Sequence, residues 1–72
     1  MPAEMKSVFS DRVSQIGYDP DTSELAVIWK NNGRRSLYSG VPAELANEVM
    51  NAASVGAALN ADIIGTFDHR YG

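Results

Sequence analysis

The strongest constraint on the fold is a hairpin signal in the middle of the chain. Residues 25–30 (Leu-Ala-Val-Ile-Trp-Lys) predict an extended strand whose two faces are both partly apolar. Residues 31–33 (Asn-Asn-Gly) tolerate positive φ, which a tight hairpin loop requires. Residues 34–41 are then expected to return as a second strand, with Ser36 and Tyr38 on the same face. The chain must therefore contain antiparallel β-structure.

A further strand is predicted before this hairpin. From Val13 onward the pattern is strand-like, and Ser14, Ile16 and Tyr18 are expected to share one face. The strand should end at residues 19–22, Asp-Pro-Asp-Thr, which favour a turn. Together with the hairpin, this strand gives a three-stranded antiparallel meander (β-β-β).

Helical signals occupy the second half of the chain. Pro42 has the fixed φ that suits a first helical position, and a break is expected near Ser54. The spacing of apolar residues predicts one stripe on each helix: Leu45, Val49 and Ala53 on the first, and Leu59, Ile63 and Phe67 on the second. We therefore predict an α+β fold in which the meander is followed by two helices packed on one face of the sheet.

The length limits this architecture to one core. The chain has 72 residues and no cysteine, so neither disulfides nor thiolate metal sites can support the fold. We expect a flexible N-terminal segment at 1–12, a single domain at 13–67 and a polar C-terminal tail at 68–72.

Charge and hydropathy exclude several classes of function. The net charge of -3 argues against a general attraction to nucleic acid, so any such binding must be local. No stretch approaches the ~20 apolar residues that a membrane span requires, and no signal-peptide pattern is seen at the N-terminus. We expect a cytoplasmic protein without membrane partners.

The residue types needed for catalysis or metal binding do not form a pattern. His69 is the only imidazole, and it lies in the predicted tail. A serine nucleophile needs a base within hydrogen-bond reach, and a histidine in a tail is poorly placed to act as one. A metal site needs three or four ligands, and Asp68 with His69 supplies only two. We predict no catalytic residues, no metal and no cofactor.

The best candidate surface is the predicted hairpin. Lys30, Arg34 and Arg35 could meet phosphate groups while Trp29 and Tyr38 offer planes for stacking. The alternative is that the two rings face the helices and the charges are merely solvated.

Several landmarks in order give the chain a family resemblance. It resembles the KTSC domain, named after the C-terminus of some lysyl-tRNA synthetases. The matching landmarks are Ile16-Gly17-Tyr18-Asp19, Leu25-x-Val27-x-Trp29, Gly33, Tyr38-x-x-Val41-Pro42 and Ala53-Ser54-x-Gly56-x-x-Leu59-Asn60-x-x-Ile63. The family's central Tyr-x-Tyr appears here as Ser36-Leu37-Tyr38, which removes one aromatic ring.

The resemblance implies a domain of unknown function, with RNA binding suggested by the attachment to a tRNA synthetase. We therefore predict a small non-catalytic binding module for RNA or a nucleotide-like ligand, of a kind that bacteria and phages encode alone. The alternative is a protein-interaction or regulatory module, including a homodimer. The predicted ligand-binding residues are Lys30, Arg34, Arg35, Ser36, Tyr38 and Asn60.

Overall fold

The sheet contains five antiparallel strands rather than three. A computed structural model describes residues 5–8 and 10–71. Residues 1–4 and 9 of the predicted flexible segment, and Gly72 of the predicted tail, lie outside the described residues. The strands are β1 (Lys6–Ser7), β2 (Val13–Asp19), β3 (Glu24–Trp29), β4 (Arg35–Ser39) and β5 (Asp68–Tyr71), and the helices are α1 (Ala43–Met50) and α2 (Val55–Asp62). Their order in the sheet, β1-β2-β3-β4-β5, follows the order in sequence.

The α+β class and the two helices are confirmed, but the prediction of a three-stranded sheet is wrong. The missed strands are the two at the sheet edges. β1 is only two residues long, which is too short to show an alternating pattern. All four residues of β5 are exposed, so the strand needs no apolar face. Its sequence therefore resembles that of a polar tail.

The central hairpin forms as the pattern indicates. Leu25 pairs with Tyr38 and Val27 pairs with Ser36, so these four side chains share the helix-facing side of the sheet, the inner face. Gly33 closes the loop with a φ of 68°, in the left-handed region where glycine has no steric penalty.

An irregularity in β2 changes which residues reach the core. Val13 pairs with Trp29, whereas Gln15 pairs with Ile28, so the register shifts around Ser14 as in a β-bulge. Val13, rather than Ser14, therefore shares the inner face with Ile16, and Val13 is fully buried. An apolar side chain thereby replaces a hydroxyl in the core.

The helices seal the inner face. α1 begins at Ala43, one residue after the predicted first helical position, because Pro42 has an extended backbone and precedes the helix. The helix buries Ala46 and Val49. In α2 the side chain of Ser54 accepts a hydrogen bond from the backbone N–H of Ala57, which satisfies one of the unpaired donors at a helix start. A single buried cluster joins the two helices to the inner face; its members include Ile16, Leu25, Val27, Tyr38, Val49, Leu59 and Ile63.

Both helices of the described chain are eight residues long. Neither is long and apolar enough to cross a membrane.

Candidate functional site

An open cleft lies at the end of the sheet where the β3–β4 loop, the segment before β2 and the end of β5 meet. Its volume is about 370 Å³. We call it the aromatic cleft, and its walls are Asp11, Arg12, Trp29, Asn31, Asn32 and Tyr71. Two aromatic rings, two amides and charges of both signs therefore border one small space.

Tyr71 is the most accessible ring of the cleft. It is 59% exposed, and the guanidinium carbon of Arg34 lies 4.4 Å from its ring centroid, a cation–π geometry. The ring of His69 makes an edge contact with the Tyr71 ring at a centroid distance of 4.8 Å. These contacts hold the Tyr71 ring in place while leaving much of it open to a ligand.

A hydrogen bond to a buried residue holds the indole of Trp29 in place. Its Nε1–H donates to the hydroxyl oxygen of Ser36 at 2.7 Å, and Ser36 is only 1% exposed. The indole itself is half-buried. The hydrogen bond fixes the plane of the ring, so stacking on it would need no reorganisation.

Four of the six Lys and Arg residues of the sequence gather around this end of the sheet. The backbone N–H of Lys30 donates to the carbonyl oxygen of Arg12 at 2.8 Å, which brings Arg12 beside the hairpin. We call this region the basic end; it consists of Arg12, Lys30, Arg34 and Arg35, all exposed. A cluster of this kind gives a locally positive surface on a chain whose net charge is negative.

The five predicted site residues of the hairpin separate into two groups. Lys30, Arg34 and Arg35 lie on the surface at the basic end, as the sequence indicated. Ser36 and Tyr38 are on the inner face, 1% and 4% exposed, so they support the site from within the core. Burial, followed by the charge on an ionised Tyr71, raises the pKa of Tyr38 above its ordinary value.

Asn60 lies apart from the hairpin, on the exposed side of α2. It borders a second cleft of about 300 Å³, which we call the helix cleft. The walls of the helix cleft are Ser10, Asp11, Arg12, Ser54, Gly56, Ala57 and Asn60. Asp11 and Arg12 therefore stand between the two clefts and contribute to both.

Sequence reasoning did not identify Arg12 and Tyr71 as site residues. Arg12 lies in the segment predicted to be flexible, and the hydrogen bond from Lys30 and the pairing of Val13 with Trp29 bring it to the hairpin. Tyr71 lies in the predicted tail, although the alternation of charged and aromatic residues in Asp68–Tyr71 is consistent with an edge strand.

Comparison with known proteins identifies the family of the chain. A family model of the KTSC domain matches residues 9–67. The chain belongs to the KTSC domain family. The match to the family model ends at residue 67, directly before β5 begins.

A crystal structure of a KTSC domain protein from Yersinia pestis is similar to the whole chain. The two share 32% sequence identity with a TM-score of 0.91, and the alignment covers 99% of each chain. Coverage of that extent includes β5, so the strand that carries Tyr71 belongs to the shared fold. No curated protein matches the sequence.

Proposed function

We propose that this KTSC domain is a non-catalytic module that binds single-stranded RNA, or a nucleotide, at its basic end. The observation that carries the proposal is the pairing of Arg34 with the exposed ring of Tyr71 beside Trp29. Proteins that bind single strands combine aromatic planes for the bases with a positive surface for the backbone. The aromatic cleft has both within one small space.

The aromatic, basic and amide walls of the cleft each have a role in this proposal. Tyr71 and Trp29 offer planes on which a base can stack, and Arg12 offers positive charge to a phosphate. Lys30, which is exposed and precedes Asn31 in the loop, adds a second positive charge beside the cleft. The amides of Asn31 and Asn32 carry donors and acceptors that can meet the edge of a base. Asn32 also accepts a hydrogen bond from the backbone N–H of Arg34 at 2.9 Å, which orders the loop.

The environment of His69 supports a non-catalytic role. Its ring lies between two tyrosine rings, with centroid distances of 5.0 Å to Tyr38 and 4.8 Å to Tyr71. A catalytic base needs a nucleophile or a substrate proton within hydrogen-bond reach. The contact with Tyr38 joins β5 to β4, which supports a structural role for His69.

Fluorescence anisotropy with a labelled single-stranded RNA tests this function. We expect saturable binding at low salt that weakens as salt is added, because phosphate contacts release counterions. Tyr71→Ala should weaken binding by roughly 5- to 150-fold, the equivalent of about 1–3 kcal/mol of stacking on one base. Tyr71→Phe keeps the ring and should retain most of the affinity.

A matched pair of charge variants separates local binding from general attraction. Arg34→Ala and Lys6→Ala each remove one positive charge, but Lys6 lies in β1 at the opposite edge of the sheet. Only Arg34→Ala should weaken binding substantially. An equal loss in both variants, or no saturable binding at low salt, would refute the proposed site.

One observation favours the second candidate, a protein-interaction module or homodimer. Ile28 and Leu37 lie on the outer face of the sheet, opposite the helices, and both remain only half-buried. Light scattering on the purified protein tests self-association: a dimer that Ile28→Ser converts to a monomer would support this candidate. A monomer that binds RNA would leave the first proposal standing alone.

A further inference from the structure

We infer that the ligand is an oligonucleotide of at least two nucleotides, which crosses Arg12 and occupies the aromatic cleft and the helix cleft together. The inference rests on the proposed function and specifies its ligand. A mononucleotide would fill only one of the two spaces. Two neighbouring nucleotides joined by a phosphate would fill both.

The first support is the continuity of the surface. Asp11 and Arg12 form a wall of both clefts, so a chain leaving one cleft enters the other across these two residues. A third depression, lined in part by Asp11, Lys30 and Ser54, joins the basic end to the start of α2. The two clefts therefore adjoin each other at Asp11 and Arg12.

The second support is the size of each cleft. Volumes of about 370 Å³ and about 300 Å³ lie at the lower limit for small-molecule sites. Each cleft thus suits a unit of roughly one nucleotide. A longer ligand has to use both.

The third support is the different chemistry of the two clefts. The aromatic cleft offers the rings of Trp29 and Tyr71, whereas the helix cleft offers the hydroxyls of Ser10 and Ser54 and the amide of Asn60. Stacking would hold the first base, and hydrogen bonds would hold the second nucleotide. Arg12, between them, is placed to meet the phosphate that links the two.

The clefts are neighbours because α2 comes close to the segment before β2 at Gly56. A Cβ atom at Gly56 would lie 3.1 Å from Oγ of Ser10 and 3.9 Å from Cβ of Arg12. The absence of a side chain lets α2 approach the segment before β2 closely. Arg12 can then face α2 and the hairpin at the same time.

Isothermal titration with two defined probes, adenosine 5′-monophosphate and the dinucleotide pApA, tests the inference. The dinucleotide should bind at least about tenfold more tightly, because it gains contacts in the helix cleft and a linking phosphate on Arg12. Asn60→Ala should lower this affinity ratio. The substitution is at an exposed helical position where alanine is favourable, so the variant should fold.

The matched control is Asn47→Ala, which makes the same change on the exposed side of α1, away from both clefts, and should leave the ratio as it is. Equal affinity for the two probes, or a ratio that Asn60→Ala does not change, would overturn the inference while leaving the proposed function intact. Tyr71→Ala should weaken binding of both probes. Failure of both probes and of longer RNA to bind would instead refute the proposed function, and the inference with it.

Discussion

Replacing Ser36 tests whether this residue acts through the core. Its hydroxyl accepts the hydrogen bond from Nε1–H of Trp29 at 2.7 Å, and Ser36 is 1% exposed. Ser36→Ala leaves the indole N–H without its acceptor, and an orphaned donor costs about 1–3 kcal/mol. The indole is half-buried, so water can reach it in part, and we expect a loss of about 1–2 kcal/mol.

Thermal and urea unfolding followed by circular dichroism measure this loss. For a domain of this size, 1–2 kcal/mol corresponds to a fall in melting temperature of roughly 4–16 °C. The decisive comparison is a double-mutant cycle with Trp29→Phe, which removes the donor. In that background Ser36→Ala should cost about 1 kcal/mol less, because no N–H is orphaned. An equal cost in both backgrounds would show that the hydrogen bond does not carry the effect.

Three further predictions concern other contacts of the fold. The Oη–H of Tyr18 donates to the carbonyl oxygen of Val41 at 2.6 Å, so Tyr18→Phe should lower the free energy of unfolding by about 0.5–1.5 kcal/mol in urea titrations. Gly56→Ala should stabilise the protein by up to about 1 kcal/mol in a Ser10→Ala background, where the crowded hydroxyl is gone, and by less in the wild type; equal effects would contradict the close approach. Burial raises the pKa of Tyr38 above its ordinary value of 10.0, so stability should be intact below pH 10 and fall as the pH rises through the folded-state pKa. Tyr38→Phe should flatten that fall, and an unchanged pH profile of the urea midpoint would contradict the assignment.

The central hairpin and the start of α1 could be predicted from the sequence, because the residues at these points favour one local structure. The Asn31-Asn32-Gly33 loop fixes the register of the hairpin, and Gly33 adopts the expected positive φ. Pro42 likewise marks the start of α1. Local residue preferences and burial agree at these points, so neighbouring residues suffice to predict them.

The edges of the sheet could not be predicted because their strands depend on the rest of the fold. β5 has no buried residue and exists because β4 offers it unpaired backbone groups. The register shift in β2 also depends on the rest of the fold. Either Val13 or Ser14 can lie on the inner face, and burial in the core favours the apolar side chain of Val13. Neither choice is visible within a short window of sequence.

Only part of the candidate site could be predicted from the sequence, because the rest of it depends on contacts between distant residues. The hairpin charges are local, so Lys30, Arg34 and Arg35 could be grouped by their proximity in the chain. Arg12 and Tyr71 join them only through backbone pairing across the sheet. Long-range pairing, and not composition, assembles the aromatic cleft.

The position of β5 has a practical consequence for how the protein is handled. The two edge strands lie on opposite sides of the sheet, with Lys6–Ser7 at one edge and Asp68–Tyr71 at the other. Anything fused after Tyr71 leaves the domain at the mouth of the aromatic cleft, where a histidine tag or a fluorescent protein could occlude it. An affinity tag attached ahead of β1 would emerge on the far side and leave that entrance open.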